Sequence, residues 1–409
     1  MIFFIIILLV LILSFIILKH DKIKHGGTQS NAINKKLKTS NKEANAINKK
    51  LTYRLYTDVE NKHDKYNNQL YFRNDYLYLI NKLNSLGWVE TKNNKYADFV
   101  FSLSNQQDKK IKAKLKYGVD NINSLYHKDS LFKLMKNSPY IPHTEELNKY
   151  IWKDHDIIII KEVLSYGQMG VYVIINKEGF NKIKNKLIAE NKRAICSKYI
   201  KNPLLFKEKK FHLRILICIF LKKNHYEENS HYERNSHYER NSHYERNRHY
   251  GEKYTTKISY MKKMITMKTA KSPYIIKHKE DYLDPDINIT GGAATDGLNI
   301  WPEDFIKYEN SDHTFINKCN KSIHDAIHSI PLNNIKLYDE QSAGFYILAA
   351  DIILDDNGHA WIIELNKKPA HIPKVIKKYD ISTQKQYRED YFSLLFKWIL
   401  DDIIFLFFR

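Results

Sequence analysis

The chain of 409 residues has only three cysteines, Cys196, Cys218 and Cys319. That excludes a disulfide framework and a cysteine-rich zinc site, and makes a reducing compartment the simpler setting. Glycine (13) and proline (9) are scarce, which excludes collagen-like and Pro/Gly low-complexity architectures. Acidic residues are outnumbered, 46 against 66 Lys+Arg, leaving a net charge of +20. Such an excess favours acidic partners. No nucleic-acid-binding module is recognisable, so no specific nucleic acid is expected. The apolar share of 43% is enough to bury a core.

Ile2 to Leu18 is apolar throughout except for Ser14. At about 1.5 Å per residue this run just spans a hydrocarbon core of about 30 Å. No basic segment precedes it, no small-residue cleavage site follows, and Lys19, Lys22 and Lys24 come directly after. A membrane anchor through residues 2–18 is expected rather than a cleaved signal, with the rest of the chain in the cytoplasm. Residues 19–56 are Lys/Asn-rich, and Asn31-Ala-Ile-Asn-Lys-Lys-Leu37 recurs as Asn45-Ala-Ile-Asn-Lys-Lys-Leu51. The spacing allows a short helix, but the few apolar positions favour a flexible basic tether.

From about Tyr53 the pattern is globular. Helical spacing covers Asp75–Leu86, ended by Gly87, and again Ser130–Met135 and Phe180–Ala189. Strand-like runs cover 99–103, 157–160, 171–175, 194–196, 211–221, 258–267, 344–354 and 360–365. The mixture predicts an α+β fold. Residues 57–150 are read as an N-terminal α/β subdomain, 151–390 as the main domain, and 391–409 as an apolar, core-packing helix. A six-residue unit starting at His225 repeats at His231, His237 and His243 and decays at His249. Its period fits neither helix nor strand, so 225–250 reads as a disordered insert in a hairpin loop; a metal-binding histidine tract is the other reading.

The strongest chemical signal is the run Phe345 to Asn366. With Asn357-Gly358 as the hairpin loop, Asp351 lies directly across from Glu364, and Asn366 shares their face. The opposite face would carry Ala350, Ile352, Leu354, Trp361, Ile363 and Leu365. Opposed carboxylates repel unless a cation or proton lies between them. An Asp/Glu/Asn oxygen set suits Mg2+; a solvated strand face is the bland alternative. Next, Lys161 ends a buried strand ahead of a loop carrying Gly170, an arrangement that can close over phosphates or be a plain hairpin. Third, Lys210, His212 and Arg214 share one face of a strand. Three basic groups in a row call for an anion, either a phosphate or an acidic neighbour.

Taken in order, these pieces resemble the tubulin tyrosine ligase-like family of the ATP-grasp fold. The resemblance runs from about 75 to 376. It rests on His127-Lys-Asp-Ser-Leu-Phe-Lys-Leu134, Ile160-Lys161 through Gly170, Ser197-Lys-Tyr-Ile-Lys-Asn-Pro-Leu-Leu205, Lys210-Phe-His-Leu-Arg214, and Ala350-Asp351 with Trp361-Ile-Ile-Glu-Leu-Asn366. The fold it implies is α+β, with ATP-grasp-like mixed sheets and helices, preceded here by the N-terminal transmembrane helix. The cofactors it implies are ATP and Mg2+. By resemblance, Lys128 and Lys161 meet ATP phosphates. Lys198, Tyr199 and Ile200 line the adenine pocket, Lys210 is near the ribose, and Ser197 and His212 also count among the ATP-binding residues. Asp351, Glu364 and Asn366 hold the metal. Arg214 and Lys268 act on the phosphate being transferred. The chain departs from the family pattern at His212, where an Asp is usual, at Ser197 for Gln, at Lys268 for Arg, and at Asn288-Ile-Thr-Gly291 for His-Leu-Thr-Asn.

The activity implied is an ATP-dependent ligase. It would add a free amino acid to an acidic protein or peptide, a tubulin-like tail among them, through an acyl phosphate. A catalytically weak, membrane-tethered protein binding acidic polymers, and an ATP-grasp ligase of small molecules, are the alternatives.

Overall fold

The long apolar runs of the sequence become the central strands of two sheets. The computed structural model describes residues 50–55, 76–93, 95–102, 111–153, 156–165, 169–224, 254–290, 313–338, 341–367 and 381–408. The expected anchor at 2–18, the tether up to residue 49 and the repeat at 225–250 lie outside the described residues. Among the described residues, no helix is long and apolar enough to cross a membrane.

The larger sheet is mixed. It contains β1 (Thr52–Leu55), β2 (Val89–Glu90), β3 (Tyr96–Phe101), β4 (Lys112–Tyr117), β9 (Leu205–Phe206), β10 (Lys209–Lys223), β11 (Tyr254–Thr269), β12 (Gln341–Leu354) and β13 (Ala360–Asn366). The smaller sheet, all antiparallel, has the order β5 (Thr144–Glu146), β8 (Ala194–Lys198), β6 (Ile158–Glu162), β7 (Val171–Ile174). Two sheets with interspersed helices agree with the α+β, ATP-grasp-like expectation. β1 begins at Thr52, inside the stretch read as tether, because Asp98 accepts both the Thr52 backbone N–H (2.8 Å) and its hydroxyl (2.9 Å).

β12 joins everything. One side pairs with β10 in antiparallel fashion along Ala343–Ile352. The other side pairs first with β4, in parallel, and then with β13. β2, β3 and β4 of the 57–150 segment therefore continue the sheet that carries the Asp351 hairpin, whereas β5 joins the smaller sheet. Both faces of β10 and β12 are covered, which is why they read as continuous apolar runs.

Aromatic packing closes one face. Phe99 and Phe101 of β3 stack with Phe345 of β12 on one face, with centroids 5.8 to 6.4 Å apart. Phe396 adds from above at 5.8 Å from Phe101 and 5.4 Å from Tyr76. Tyr76 leads into α1 (Leu77–Ser85), which ends on a left-handed Gly87, φ 80°. There the Gly87 N–H returns to Asn84 O and the Trp88 N–H to Leu83 O, a termination that a side chain at Gly87 would strain. Phe396 belongs to α5 (Ile381–Ile399), whose helix continues to Phe408. Phe392, Leu395, Phe396 and Ile399 are all buried, so this part of α5 packs on the core. α2 (Lys128–Leu134), α3 (Lys177–Ala189) and α4 (His313–His328) complete the main helices. α3 is capped by Asn176, whose side chain accepts the Gly179 N–H at 2.7 Å.

Candidate active site

A row of polar side chains crosses four adjacent strands of the larger sheet. Thr266 on β11 faces Arg214 on β10, Arg214 faces Asp351 on β12, and Asp351 faces Glu364 on β13. Strand geometry alone puts these four side chains on one surface. Arg214 grips Asp351 with two parallel bonds, Nε to Oδ1 and Nη2 to Oδ2, both 2.7 Å. Asn366 Nδ2 donates to Asp351 Oδ2 (3.0 Å) and to Glu364 Oε1 (3.1 Å). One residue pair along the same face, His212 lies opposite Lys268.

The second sheet and α2 supply one lysine each. Lys161, near the end of β6, is buried, and its Nζ donates to Ile363 O at 3.2 Å. Lys128, in the first turn of α2, is also buried and donates to Ser165 O at 2.8 Å. That contact ties it to the loop that leaves β6. Gly170 closes the far side of this loop with φ 69°, and its carbonyl accepts the Glu162 N–H at 2.8 Å.

The electrostatics follow from burial. Burial alone would raise the Asp351 carboxyl, but the charge of Arg214 overrides it and holds Asp351 far below the usual carboxylate range. Glu364 goes the other way: burial and the neighbouring Asp351 charge push it up. Lys161 is pushed down by burial, opposed by the Glu364 charge. Lys210 is pushed down to about 7 by burial, with the Lys161 charge adding to it. His212 is pushed down to about 3 by burial, so its ring is neutral near pH 7.

Lys210 meets a tyrosine cluster. Its Nζ donates to Tyr199 Oη at 2.8 Å and lies 4.1 Å from the centre of that ring. Tyr199 Oη in turn donates to Asn288 Oδ1. The Tyr199 ring packs with Ile157, Ile175 and Tyr282. Of its hinge neighbours, Ser197 Oγ accepts from Thr144 Oγ1 (2.9 Å), the Lys198 side chain is exposed, and Ile200 is half-buried.

Lys161, Arg214, His212, Lys268, Asp351, Glu364 and Asn366 are thus gathered on facing surfaces, with Lys128 and Lys210 at the edges. The acidic partner of the basic stripe is Asp351 itself, so two separate sequence signals are one structure. Three contributors escaped the sequence reading. Thr290 Oγ1 contacts His212 Nδ1 at 2.5 Å, Asn288 orients Tyr199, and the Ile363 carbonyl holds Lys161. Asn288 and Thr290 stand in the segment that matched the family pattern least well.

The hairpin itself needs correction. Its loop is the five residues Asp355–His359, not Asn357-Gly358 alone, because Leu354 pairs with Ala360. Asp355 organises the loop: Oδ1 accepts the N–H of Asn357 (3.0 Å) and of His359 (2.9 Å), and Oδ2 accepts Trp361 Nε1 (3.0 Å). A β-bulge then places Ile363 as an extra residue between the pairs Ile352–Ile362 and Asp351–Glu364. Consequently the fully buried residues of β13 are Ala360, Ile362 and Leu365, whereas Trp361 and Ile363, expected in that set, are only half-buried.

Asp351 and Glu364 bring carboxylate oxygens together on one surface, while among the described residues no group of three His, Cys, Asp or Glu side chains is placed to hold a metal ion. Two carboxylates are directly opposed, one is destabilised in its charged form, and the buried His212 Nε2 has no hydrogen-bond partner. Residues 89–224 match the model of the Tubulin-tyrosine ligase family, and residues 291–395 match the YheC/D like ATP-grasp model. The chain carries a tubulin-tyrosine ligase family domain. No curated protein matches the chain. The two matched stretches meet at the Arg214–Asp351 pair, and this family and fold imply an ATP-dependent ligase, of a kind that generally uses ATP and Mg2+.

Proposed function

We propose that the protein is an ATP- and Mg2+-dependent carboxylate–amine ligase that joins a free amino acid to an acidic protein or peptide tail through an acyl phosphate. The observation that carries this reading is the row Arg214–Asp351–Glu364, faced by Lys161 from the second sheet. Asp351, Glu364 and Asn366 would hold Mg2+, which when bound neutralises phosphate oxygens and favours their displacement. Lys161 and Lys128 bind the phosphates, and Lys210 and His212 line the nucleotide site beside Tyr199. A guanidinium has five N–H donors. Arg214 spends two on Asp351, so the remainder can hold the charge that develops on the transferred phosphoryl group. Lys268, across the strand pair from His212, adds a second positive charge there. Holding the acyl phosphate and the incoming amine in one dry cleft turns a bimolecular step into a positioned one.

The net charge of +20 suits a glutamate-rich acceptor. The apolar run at 2–18 supports a membrane-anchored enzyme with its catalytic domain in the cytoplasm. Mass spectrometry of glutamate-rich peptides incubated with the protein, MgATP and mixed amino acids tests the activity. A mass increase equal to one amino-acid residue, with ATP consumed, is expected. Nucleotide binding without any adduct would favour a catalytically weak binder of acidic polymers, a reading motivated by His212 in the nucleotide site.

A further inference from the structure

A cavity of about 120 Å3 lies between the β10–β11 hairpin and the C-terminal helix. Cys218, Phe220 and Lys222 alternate along one face of β10, and Ser259 and Lys257 stand across from Cys218 and Phe220 on β11. Cys218 is four residues beyond Arg214 on this strand, about 13 Å away, so the cavity is separate from the polar row described above. Its other wall is formed by Asp402, Ile403 and Phe407. There the helix leaves the α pattern for a π turn over Leu400–Ile404, a rare widening that recurs at functional sites.

The interior is apolar. Phe220 and Phe407 meet with ring centres 6.3 Å apart, and Ile403 is buried. Burial pushes the Cys218 thiol up, so it stays protonated and serves as lining rather than as a nucleophile. The rim is basic. Lys222 and Lys257 are exposed, and Lys222 Nζ lies 5.6 Å from the centre of the Phe407 ring. Neither lysine is in an ion pair among the described residues. The single acid, Asp402, is already engaged, since its Oδ2 accepts Trp398 Nε1 at 2.7 Å. An apolar body with a few placed polar groups is the usual make-up of a small-molecule site. An apolar cavity of about 150 Å3 binds benzene, so this one has room for a single ring or a short acyl chain.

We propose that this cavity binds the anion of a small apolar carboxylic acid, with its hydrocarbon body between Phe220, Ile403 and Phe407 and its carboxylate between Lys222 and Lys257. The charges decide for an anion over a zwitterion, because two ammonium groups without acidic partners face one carboxylate that is already hydrogen-bonded. A bound anion would tie the β10–β11 hairpin to the C-terminal helix, away from the phosphate chemistry proposed above.

The test is ligand-observed NMR titration of the full-length protein, without nucleotide, using three probes that share one ring: phenylacetate, phenylalanine and phenethylamine. Phenylacetate should bind most tightly, and phenethylamine at least about tenfold more weakly. Lys222→Met and Lys257→Met should each weaken phenylacetate binding about fivefold, and the double variant should lose it. Both lysines are exposed, so these variants should fold. Ile403→Trp fills the interior and should block binding with the rim intact; Ser259→Phe does the same from the strand side if Ile403→Trp does not fold. Equal binding of phenylacetate and phenethylamine, or phenylacetate binding unchanged in the double lysine variant, overturns the anion assignment. Phenylalanine binding more tightly than phenylacetate overturns it in favour of a zwitterion read by Asp402. No saturable phenylacetate binding up to about 20 mM, or binding that survives the filling variant, overturns the site itself.

Discussion

Replacing Arg214 by methionine should reveal how strongly the cross-strand pair holds the sheet. Asp351 is 3% exposed at its side chain and Arg214 13%, so water screens neither charge well. Both carboxylate oxygens receive a guanidinium N–H at 2.7 Å. Removing the cation strands a buried carboxylate, a change that typically costs about 3–5 kcal/mol. Asp351→Leu should be milder, about 1–3 kcal/mol, because Glu364 stands beside the freed guanidinium and is itself released from the Asp351 charge that raised it. The double variant should lose less than the sum of the two, with a coupling of about 2 kcal/mol or more. The sign with pH is fixed by the depressed Asp351. Its contribution is present above the unfolded carboxyl value of about 4 and is lost as pH falls below it. Urea unfolding followed by near-ultraviolet circular dichroism at pH 7 and pH 4 measures all three variants. Arg214→Met within about 1 kcal/mol of wild type at pH 7, or strict additivity in the double variant, refutes the argument that this pair is buried and mutually dependent.

Glu364→Gln should abolish Mg2+-dependent ATP turnover yet leave stability at pH 7 within about 1 kcal/mol of wild type or above it. The raised Glu364 stabilises the fold relatively at low pH and loses that advantage as pH rises through its folded value, so the variant's gain should grow with pH. For the same reason Mg2+ binding to the wild type should release protons, fewer as pH rises; calorimetry in buffers of different ionisation enthalpy would detect this, and no release at any pH contradicts the raised carboxyl. Asp355→Ala removes three acceptor contacts from the hairpin loop and should cost about 2–3 kcal/mol, read as a shift in the urea midpoint; an unchanged midpoint means the loop is held by other contacts. Lys223 pairs with Tyr254 at the open end of the β10–β11 hairpin, so replacing 225–250 by a short turn should leave ATP turnover unchanged. Loss of turnover together with bound metal would instead give the histidine repeat a role.

Several strands that the sequence disclosed, β3, β8, β10 and β12, are buried along both faces, and an apolar run of that kind has few other destinations. β4 escaped notice because Lys112-Ala-Lys-Leu-Lys-Tyr117 alternates lysine with small and apolar residues and resembles a surface stretch, although Lys116 is in fact buried. α4 escaped because its inward positions, Ile316, Cys319, Ile323, Ala326 and Ile327, are separated by Asn, Lys and His that dilute the periodicity. In the site, residue identities were legible while their connections were not. Arg214 and Asp351 are 137 residues apart, and nothing local indicates that β10 lies against β12.

The acidic pair shows how a local rule can give the right partners by the wrong path. A two-residue Asn-Gly loop and an unbroken ladder place Asp351 opposite Glu364. The structure reaches the same pairing through a five-residue loop, which shifts the register by one, and a bulge at Ile363, which shifts it back. The bulge does more than restore the count. Ile363 is the residue extra to the ladder, and its carbonyl is the one that Lys161 finds from the other sheet. An ideal hairpin would engage that oxygen in the ladder and remove the anchor that holds Lys161 beside Glu364. The irregularity invisible to pattern reasoning is therefore what couples the carboxylates on one sheet to the lysine on the other, and a two-sheet phosphate site requires that coupling.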